Sequence, residues 1–471
     1  MTDRFSNMLR RKLTVDWERD KGELDMRYHS LGIGGIHPMP PPQNIVNPTA
    51  YLKPRLIRIF LQEFFYIYPE HGVFDWTKLD LYMDAVHAMG GGIMASICIK
   101  PKPLYPVVDE KIFMPNNIAE WQDVIAALVL RYSKDKPYVT HWAIANEMNI
   151  GEWGGCPYLI ENPDDYFEYY KITAAPIFEA LSKMGIKIGG PSYAGSRGAD
   201  KYLGRFIELC RQNNVPVDFT CYNVYGDNSE TIAAEGRAVR DAVSRQDPNV
   251  KLYLTEFNIS LNEDLSLEEK AYDPRCPACL GSSLLAFHDE GCLEGSFQYH
   301  IYDQWCDPRD FAPWYERARY MARYWNDNIN RIGLFDLDGK PRPQYFLYKM
   351  LYDMAGRRVN LEGTGVVLRG LASRNDNMLS MFFTNFATEQ TPECVAQIHF
   401  ENAPEGVYRL NVYRIDAETC ARMKIAPMTE LLPVESRIVY AHPDFCFDVF
   451  IPGDSAVLIK LEKQPEVNKI L

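Results

Sequence analysis

Residues 138–149 read YVTHWAIANEMN and residues 251–260 read KLYLTEFNIS. Each is a short apolar run that stops on a carboxylate: Asn146 and Glu147 end the first, and Glu256 ends the second. Short, β-branched apolar runs bounded by polar residues read as strands buried on both faces. Working outward, six more runs of this kind appear at Met26–Ile33, Leu56–Leu61, Gly92–Ile99, Lys187–Gly190, Val217–Tyr222 and Gly295–Ile301. With Val139–Ala145 and Lys251–Thr255 they make eight. Most are separated by stretches of helical period, among them Trp76–Met89, Ile118–Tyr132 and Tyr166–Met184. Eight strands alternating with helices predict a (β/α)8 barrel. A doubly wound open sheet is the structural alternative. It uses a GxGxxG phosphate turn, and the glycine-rich LGIGGIHP of residues 31–38 lacks that spacing.

A barrel of about 250 residues leaves a remainder in a chain of 471. After about residue 355 the helical period gives way to short strand-like runs: Thr364–Leu368, Met378–Asn385, Val395–Phe400, Val407–Ile415, Arg437–Tyr440 and Ala456–Leu461. The expected layout is therefore a barrel over 1–354 and a β-sandwich over 355–471, with Arg11–Trp17, inside residues 1–20, as a possible extra sandwich strand.

Composition excludes several classes. A hydrophobic share of 46% and a charged share of 24% are globular values, which argues against disorder. A net charge of −13 without a Lys/Arg block argues against nucleic acid or an anionic membrane surface as partner. The N-terminal residues hold no signal-like apolar run, and no stretch reaches the roughly 18 apolar residues of a membrane helix. With 11 scattered cysteines, the expectation is reduced thiols and a cytoplasmic location. Cys276 and Cys279 have CxxC spacing, but His288, Cys292 and Cys306 downstream fit no standard zinc site, so no metal is expected.

In a barrel, reactive groups sit at the C-terminal strand ends. The fourth and seventh runs end on Glu147 and Glu256, and strands four and seven face each other across a barrel. Two carboxylates about 5–5.5 Å apart there suit double displacement at a glycosidic carbon. One must be protonated near neutral pH and the other ionised, so their surroundings must differ. Arg58, in LIRIF, is a candidate cation for holding one of them ionised.

This arrangement resembles the clan A retaining glycosidases, which carry Asn-Glu at the end of strand four and Glu at the end of strand seven. Within that clan the chain is most similar to glycoside hydrolase family 39, the β-xylosidase and α-L-iduronidase family. The resemblance runs through LIRIF, IKPKPLY, ANEMNIGEW, KIGGPSYAG, NVPVDFTCYNVYG, YLTEFNIS, SFQYHIYD and GLFDLDGKPRPQYFLY. It implies a barrel followed by a β-sandwich, with no metal or organic cofactor. It also implies Glu147 as acid/base, Glu256 as nucleophile, Asn146 on the sugar 2-OH and Arg58 beneath the nucleophile. Tyr222, Asn223 and Tyr225 fall where the clan places a ring that orients the nucleophile. Two departures stand out: Asn223 occupies the His of the usual His-x-Tyr, and His300 occupies the position of a late strand-eight Trp. A His offers hydrogen bonds where a Trp offers an apolar floor, which leaves the sugar open.

Trp153, in GEWGG, offers either a stacking platform or a packing residue. Lys100 and Lys102 read either as reaching the cleft from strand three or, by preference, as solvated loop charges; Glu152, Glu161 and Asp164–Asp165 read as solvated loop acids, and Asp303 reads either as a substrate contact or as a supporting group. In the loop after strand eight, Trp305 and Trp314 read as cleft wall and the run from Tyr315 as a core-facing helix. The expected partner is a small oligosaccharide or glycoside, cut at a terminal bond, and a homo-oligomer is compatible with the sequence. A barrel that binds sugar without cleaving it, and a transglycosylase with the same residues, stay open as alternatives.

Overall fold

Strands β2–β9 of a computed structural model close into a parallel eight-stranded barrel. The structure describes residues 9–259, 267–326, 331–354 and 356–465. The barrel strands are β2 (His29–Gly32), β3 (Leu56–Gln62), β4 (Gly92–Cys98), β5 (Val139–Ile144), β6 (Lys187–Ala194), β7 (Phe219–Tyr225), β8 (Lys251–Asn258) and β9 (Gly295–Tyr299). Pairing of His29 with Ser296 joins the last strand to the first. Strands such as β3 are buried along their whole length, because helices cover one face and the barrel interior the other. Met26–Tyr28, expected inside the first strand, is instead a single 3-10 turn whose start is capped by the Asp25 side chain.

The inside of the barrel is layered. Leu56, Met94, Phe219, Cys221, Tyr253 and Phe297 form one apolar cluster. Alternation along β3 carries Arg58, Phe60 and Gln62 to the same interior face as Leu56, successively nearer the C-terminal end. The polar site therefore rests on an apolar plug that keeps water from below.

The remaining strands belong to one mixed sheet: β1 (Leu9–Leu24), β10 (Gly356–Glu362), β11 (Leu368–Arg374), β12 (Met378–Asn385), β13 (Cys394–Glu401), β14 (Gly406–Ile415), β15 (Glu435–Ala441), β16 (Cys446–Ile451) and β17 (Ser455–Lys463). Their order is β15-β14-β17-β12-β11-β10-β1-β13-β16. β1 and β14 stand five positions apart, which is about 24 Å in a flat sheet. Yet the rings of Trp17 and Tyr408 from those strands lie 5.8 Å apart. The sheet therefore rolls over on itself, sandwich-like, around a second core that includes Leu13, Phe383, Ile398 and Leu410. Its outer face packs on the barrel. There a β carbon on Gly281, of the helix Arg275–Glu290, would lie 2.7 Å from Thr384 Cγ2.

Three details differ from the sequence reading. Residues 364–367, expected as the start of a strand, connect β10 to β11. β16, which alternates exposed and buried residues, CFDVFI, falls in a stretch not expected as strand. A helix, Ala417–Ile425, interrupts the strands, capped by Asp416, which accepts from Thr419 N at 2.9 Å.

Candidate active site

A cavity of about 230 Å3 opens at the C-terminal end of the barrel, with Glu147, Glu256, Asn146 and Tyr225 in its wall. Its size is below the roughly 300–1,000 Å3 of pockets for drug-sized ligands and is of the order of one sugar ring. The reason these four meet is register. Arg58 of β3, the Asn146–Glu147 turn after β5, Asn223 and Tyr225 of β7 and Glu256 of β8 all point inward at neighbouring heights.

Arg58 is the hub. It has no solvent exposure. Its Nη1 donates to Glu256 Oε1 at 2.8 Å and to Thr255 O at 3.1 Å, and its Nη2 donates to Asn146 Oδ1 at 2.6 Å. Phe60 covers the guanidinium at 4.2 Å from the ring centre. A buried cation is tolerable only when paired and hydrogen-bonded in this way. Glu256, 5% exposed, also receives Tyr225 Oη on Oε2 at 2.8 Å. Both oxygens of that carboxylate thus accept hydrogen bonds from buried side chains.

Glu147 is placed differently. It sits half-buried where the chain turns out of β5, with φ of 46°, after Ala145 at 66°. Its N–H donates to Ser192 O at 2.7 Å, which holds this sparsely populated conformation. Asn223 Nδ2 donates to its Oε1 at 2.9 Å. Loss of hydration in the pocket, followed by the charge of Glu256, pushes its pKa up to about 8 against the pull of Asn223 and Arg58. Gly154 makes room for it: a β carbon there would collide with Glu147 Oε2 and Cβ.

Asn146 is oriented on both sides. Its Oδ1 accepts from Arg58 and from Asn223 Nδ2 at 3.3 Å, and its Nδ2 donates to Gly154 O at 3.1 Å. One amide hydrogen is left for a ligand. Asn223 is held in turn by Thr255 Oγ1, which donates to its Oδ1 at 2.8 Å.

Trp153 also lines the cavity, 54% exposed. Four other expected residues are not in its wall: Arg58 and Asn223 lie behind the side chains they bond, and Tyr222 and His300 lie apart from the site. Tyr222 points to the opposite face of β7 from Asn223 and Tyr225, as strand alternation requires, and its hydroxyl lies toward Gly236 of the covering helix. His300 is buried behind the wall, with Nε2 3.3 Å from Asp303 Oδ1, and Asp303 accepts from Arg342 Nη2 at 2.6 Å. Tyr299, one residue earlier, supplies the wall instead.

The structure reverses two further expectations and extends a third. Tyr315, Ala318, Met321 and Ala322 pack in the main core as expected, but Met321, Tyr324 and Trp325, on the helix Ala318–Asn326, also line the cavity. Trp305 stands 60% exposed beside Arg331, and Trp314 packs on Tyr66. Lys100 and Glu152 are not solvated. Lys100 Nζ donates to Asp109 O and Pro157 O, and Glu152, 1% exposed, accepts from Glu316 N and Arg317 N. Gln62 was missed. It lies one pleat above Phe60, bridges Gly155 O and Tyr315 Oη, and could have been found from strand alternation alone. Of the buried cysteines, Cys98 packs with Phe60 and Tyr299 behind the wall and Cys276 Sγ donates to Lys270 O; no group of three or more potential metal ligands occurs among the described residues. Nor is any described helix long and apolar enough to cross a membrane.

A closed parallel barrel whose mouth holds two carboxylates in unlike surroundings, over a ring-sized cavity, has the architecture of the sugar-processing barrel proteins. The chain belongs to the glycosyl hydrolases family 39, whose family model matches residues 55–424. It is 21% identical to a β-xylosidase of Geobacillus stearothermophilus over 67% of this chain and 63% of that protein. It is 22% identical to a β-xylosidase of Caldicellulosiruptor saccharolyticus over 59% of this chain and 55% of that one. The matches thus span less than two thirds of either relative. Among solved structures, a monomeric β-xylosidase from Caulobacter crescentus superposes with a TM-score of 0.75 at 18% identity, covering 96% of this chain and 99% of that one.

Proposed function

We propose that the chain is a retaining, exo-acting glycoside hydrolase of neutral sugars, β-xylosidase-like in its chemistry. The observation that carries this is the contrast between the two carboxylates. Glu256 is held by Arg58 and Tyr225 in a form able to attack the anomeric carbon. Glu147 is kept protonated near neutral pH by burial and by the charge of Glu256, so that it can give a proton to the leaving oxygen. When Glu256 forms the glycosyl ester, its charge disappears. The repulsion that raised the Glu147 pKa goes with it, and Glu147 becomes a base for the incoming water. Asn146 aims its remaining amide hydrogen at the sugar 2-OH, a contact that strengthens as positive charge develops on the ring.

A neutral ring is favoured because none of the described residues lining the cavity is Lys, Arg or His, so nothing in the wall would pair with a uronic carboxylate. The small cavity suits cleavage of one terminal unit.

The test is a 2-deoxy-2-fluoro-β-xylosyl fluoride or its hexose counterpart, incubated with the protein and followed by peptide mass spectrometry. The expected result is one sugar mass on Glu256, with first-formed product of retained configuration by proton NMR. Inverted product, or label on another residue, overturns the reading.

A further inference from the structure

A leaving group departs past the acid that protonates it, so the surface outside Glu147 selects the aglycone. Ile150 and Trp153 follow Glu147 closely in the chain, and the N–H groups of Ile150 and Gly151 both donate to the Glu147 carbonyl at 3.0 Å. That turn keeps Ile150 near the acid: the β carbon that would collide with Glu147 at Gly154 would also lie 3.0 Å from Ile150 Cγ1. On the solvent side the surface is apolar. Ile150 is 37% exposed, Trp153 54% and Tyr320 47%. The Trp153 and Tyr320 rings meet edge to face, with centroids 4.5 Å apart. Neighbouring large apolar groups left exposed beside a cavity mark a binding surface.

Of the polar side chains beside this shelf, Asn149 and Glu152 are turned inward, while Arg317 stays 35% exposed. Asn149 donates to Ala194 O and accepts from Ala194 N. Glu152 accepts two backbone N–H groups, and Arg317 donates to Glu110 Oε1 at 2.5 Å while its guanidinium lies 5.4 Å from the Trp153 ring centre. A second sugar here would exchange hydrated hydroxyls for an aliphatic branch and ring faces, which is costly unless new hydrogen bonds form.

We infer that the aglycone subsite takes a flat apolar group, an aryl or arylalkyl alcohol, in preference to a second sugar. This rests on the hydrolase reading and extends it to the leaving group. The test compares kcat/KM for benzyl and methyl glycosides and for the disaccharide of one glycone, chosen as the best glycosyl fluoride of a panel. Benzyl and methyl alcohol are similarly poor leaving groups, so their ratio reports binding rather than chemistry. The benzyl glycoside is expected to exceed both others by about tenfold or more, the scale of an aromatic contact plus its burial. Trp153→Ala and Ile150→Asn are each expected to bring the benzyl-to-methyl ratio to within about threefold of unity, and Trp153→Phe to restore most of it. A ratio within one protein cancels any loss of folded enzyme. A disaccharide as good as the benzyl glycoside, or a ratio unmoved by both substitutions, overturns the inference while leaving the hydrolase reading intact. Failure of the wild-type protein to turn over any fluoride removes both.

Discussion

The floor of the cavity and its rim are built in different ways. The floor stands on strands: Tyr225 and Glu256 of β7 and β8 face the cavity, Arg58 of β3 and Asn223 of β7 lie behind them, and side-chain hydrogen bonds link them, Asn223 through Asn146. The rim stands on loops and on the helix Ala318–Asn326, and buried charges beneath it hold it. Glu110 accepts from Glu152 N and from Arg317, while Glu152 accepts from the chain at Glu316 and Arg317. Groups that must be aligned to fractions of an ångström for chemistry sit on the stiffest part of the fold, and groups that select partners sit where the chain varies more freely. Damage to the floor should therefore appear in kcat, and damage to the rim in KM and in substrate choice.

The largest effect is expected at Glu256. Glu256→Ala removes the group assigned to attack, and turnover should fall by roughly 10^4-fold or more. Azide should restore part of it and yield a glycosyl azide of inverted configuration, read by NMR. Retention of more than a tenth of wild-type activity would break the division between floor and rim at its strongest point.

Gly154 lies on the border. It belongs to the rim loop, yet any β carbon there strikes Glu147. Gly154→Ala is expected to lower kcat by about 10–100-fold for alkyl glycosides, the range lost when general acid catalysis is impaired. Dinitrophenyl glycosides need little proton donation and should be hurt far less. Equal losses on both substrates would mean that the substitution disturbs the nucleophile or the fold instead.

The floor was far more legible in the sequence than the rim. Strand ends announce themselves because apolar runs stop on polar residues, and ANEMN and LTEFN do so in strands that face each other across a barrel. Alternation should also have separated Tyr222 from Asn223 and Tyr225, since neighbours on a strand point to opposite faces. The rim gave only part of the signal. The Ala318–Asn326 helix has an apolar stripe, and a stripe reads the same whether it faces a core or a cavity. Buried loop charges such as Lys100 and Glu152 look like solvated ones, because their partners are backbone groups from distant loops that no local pattern displays.

Glu152 tests the latch under the rim. Glu152→Gln keeps the shape but removes the charge that faces two backbone donors and Arg317, and a buried amide cannot satisfy both donors with equal strength. A loss of about 1–3 kcal/mol in stability is expected from chemical denaturation. KM should rise several-fold and kcat should stay within about threefold, because no group of the floor is touched. A kcat loss as large as that of Gly154→Ala would show that the rim also positions the acid.

The smallest expected effect refines the floor itself. Burial and the charge of Glu256 raise the Glu147 pKa to about 8, and the Asn223 hydrogen bond opposes them by favouring the ionised form. The protonated acid is the active form, so kcat/KM should fall on the alkaline side near that value. Asn223→Ala removes the opposing bond, so the pKa rises further and the alkaline limb should move to higher pH, by less than about one unit. The same raised pKa has a consequence for stability. The folded protein holds this proton where the unfolded chain has already released it, so the contribution of Glu147 is full below its ordinary carboxylate range and is lost as pH rises toward about 8. Glu147→Gln abolishes that loss. Its melting temperature should exceed that of the wild-type protein at pH 8, and the difference should shrink at pH 5. An alkaline limb that moves down in Asn223→Ala, or a Glu147→Gln protein that gains nothing at pH 8, would place the titrating group elsewhere in the cavity and remove the contrast between the two carboxylates.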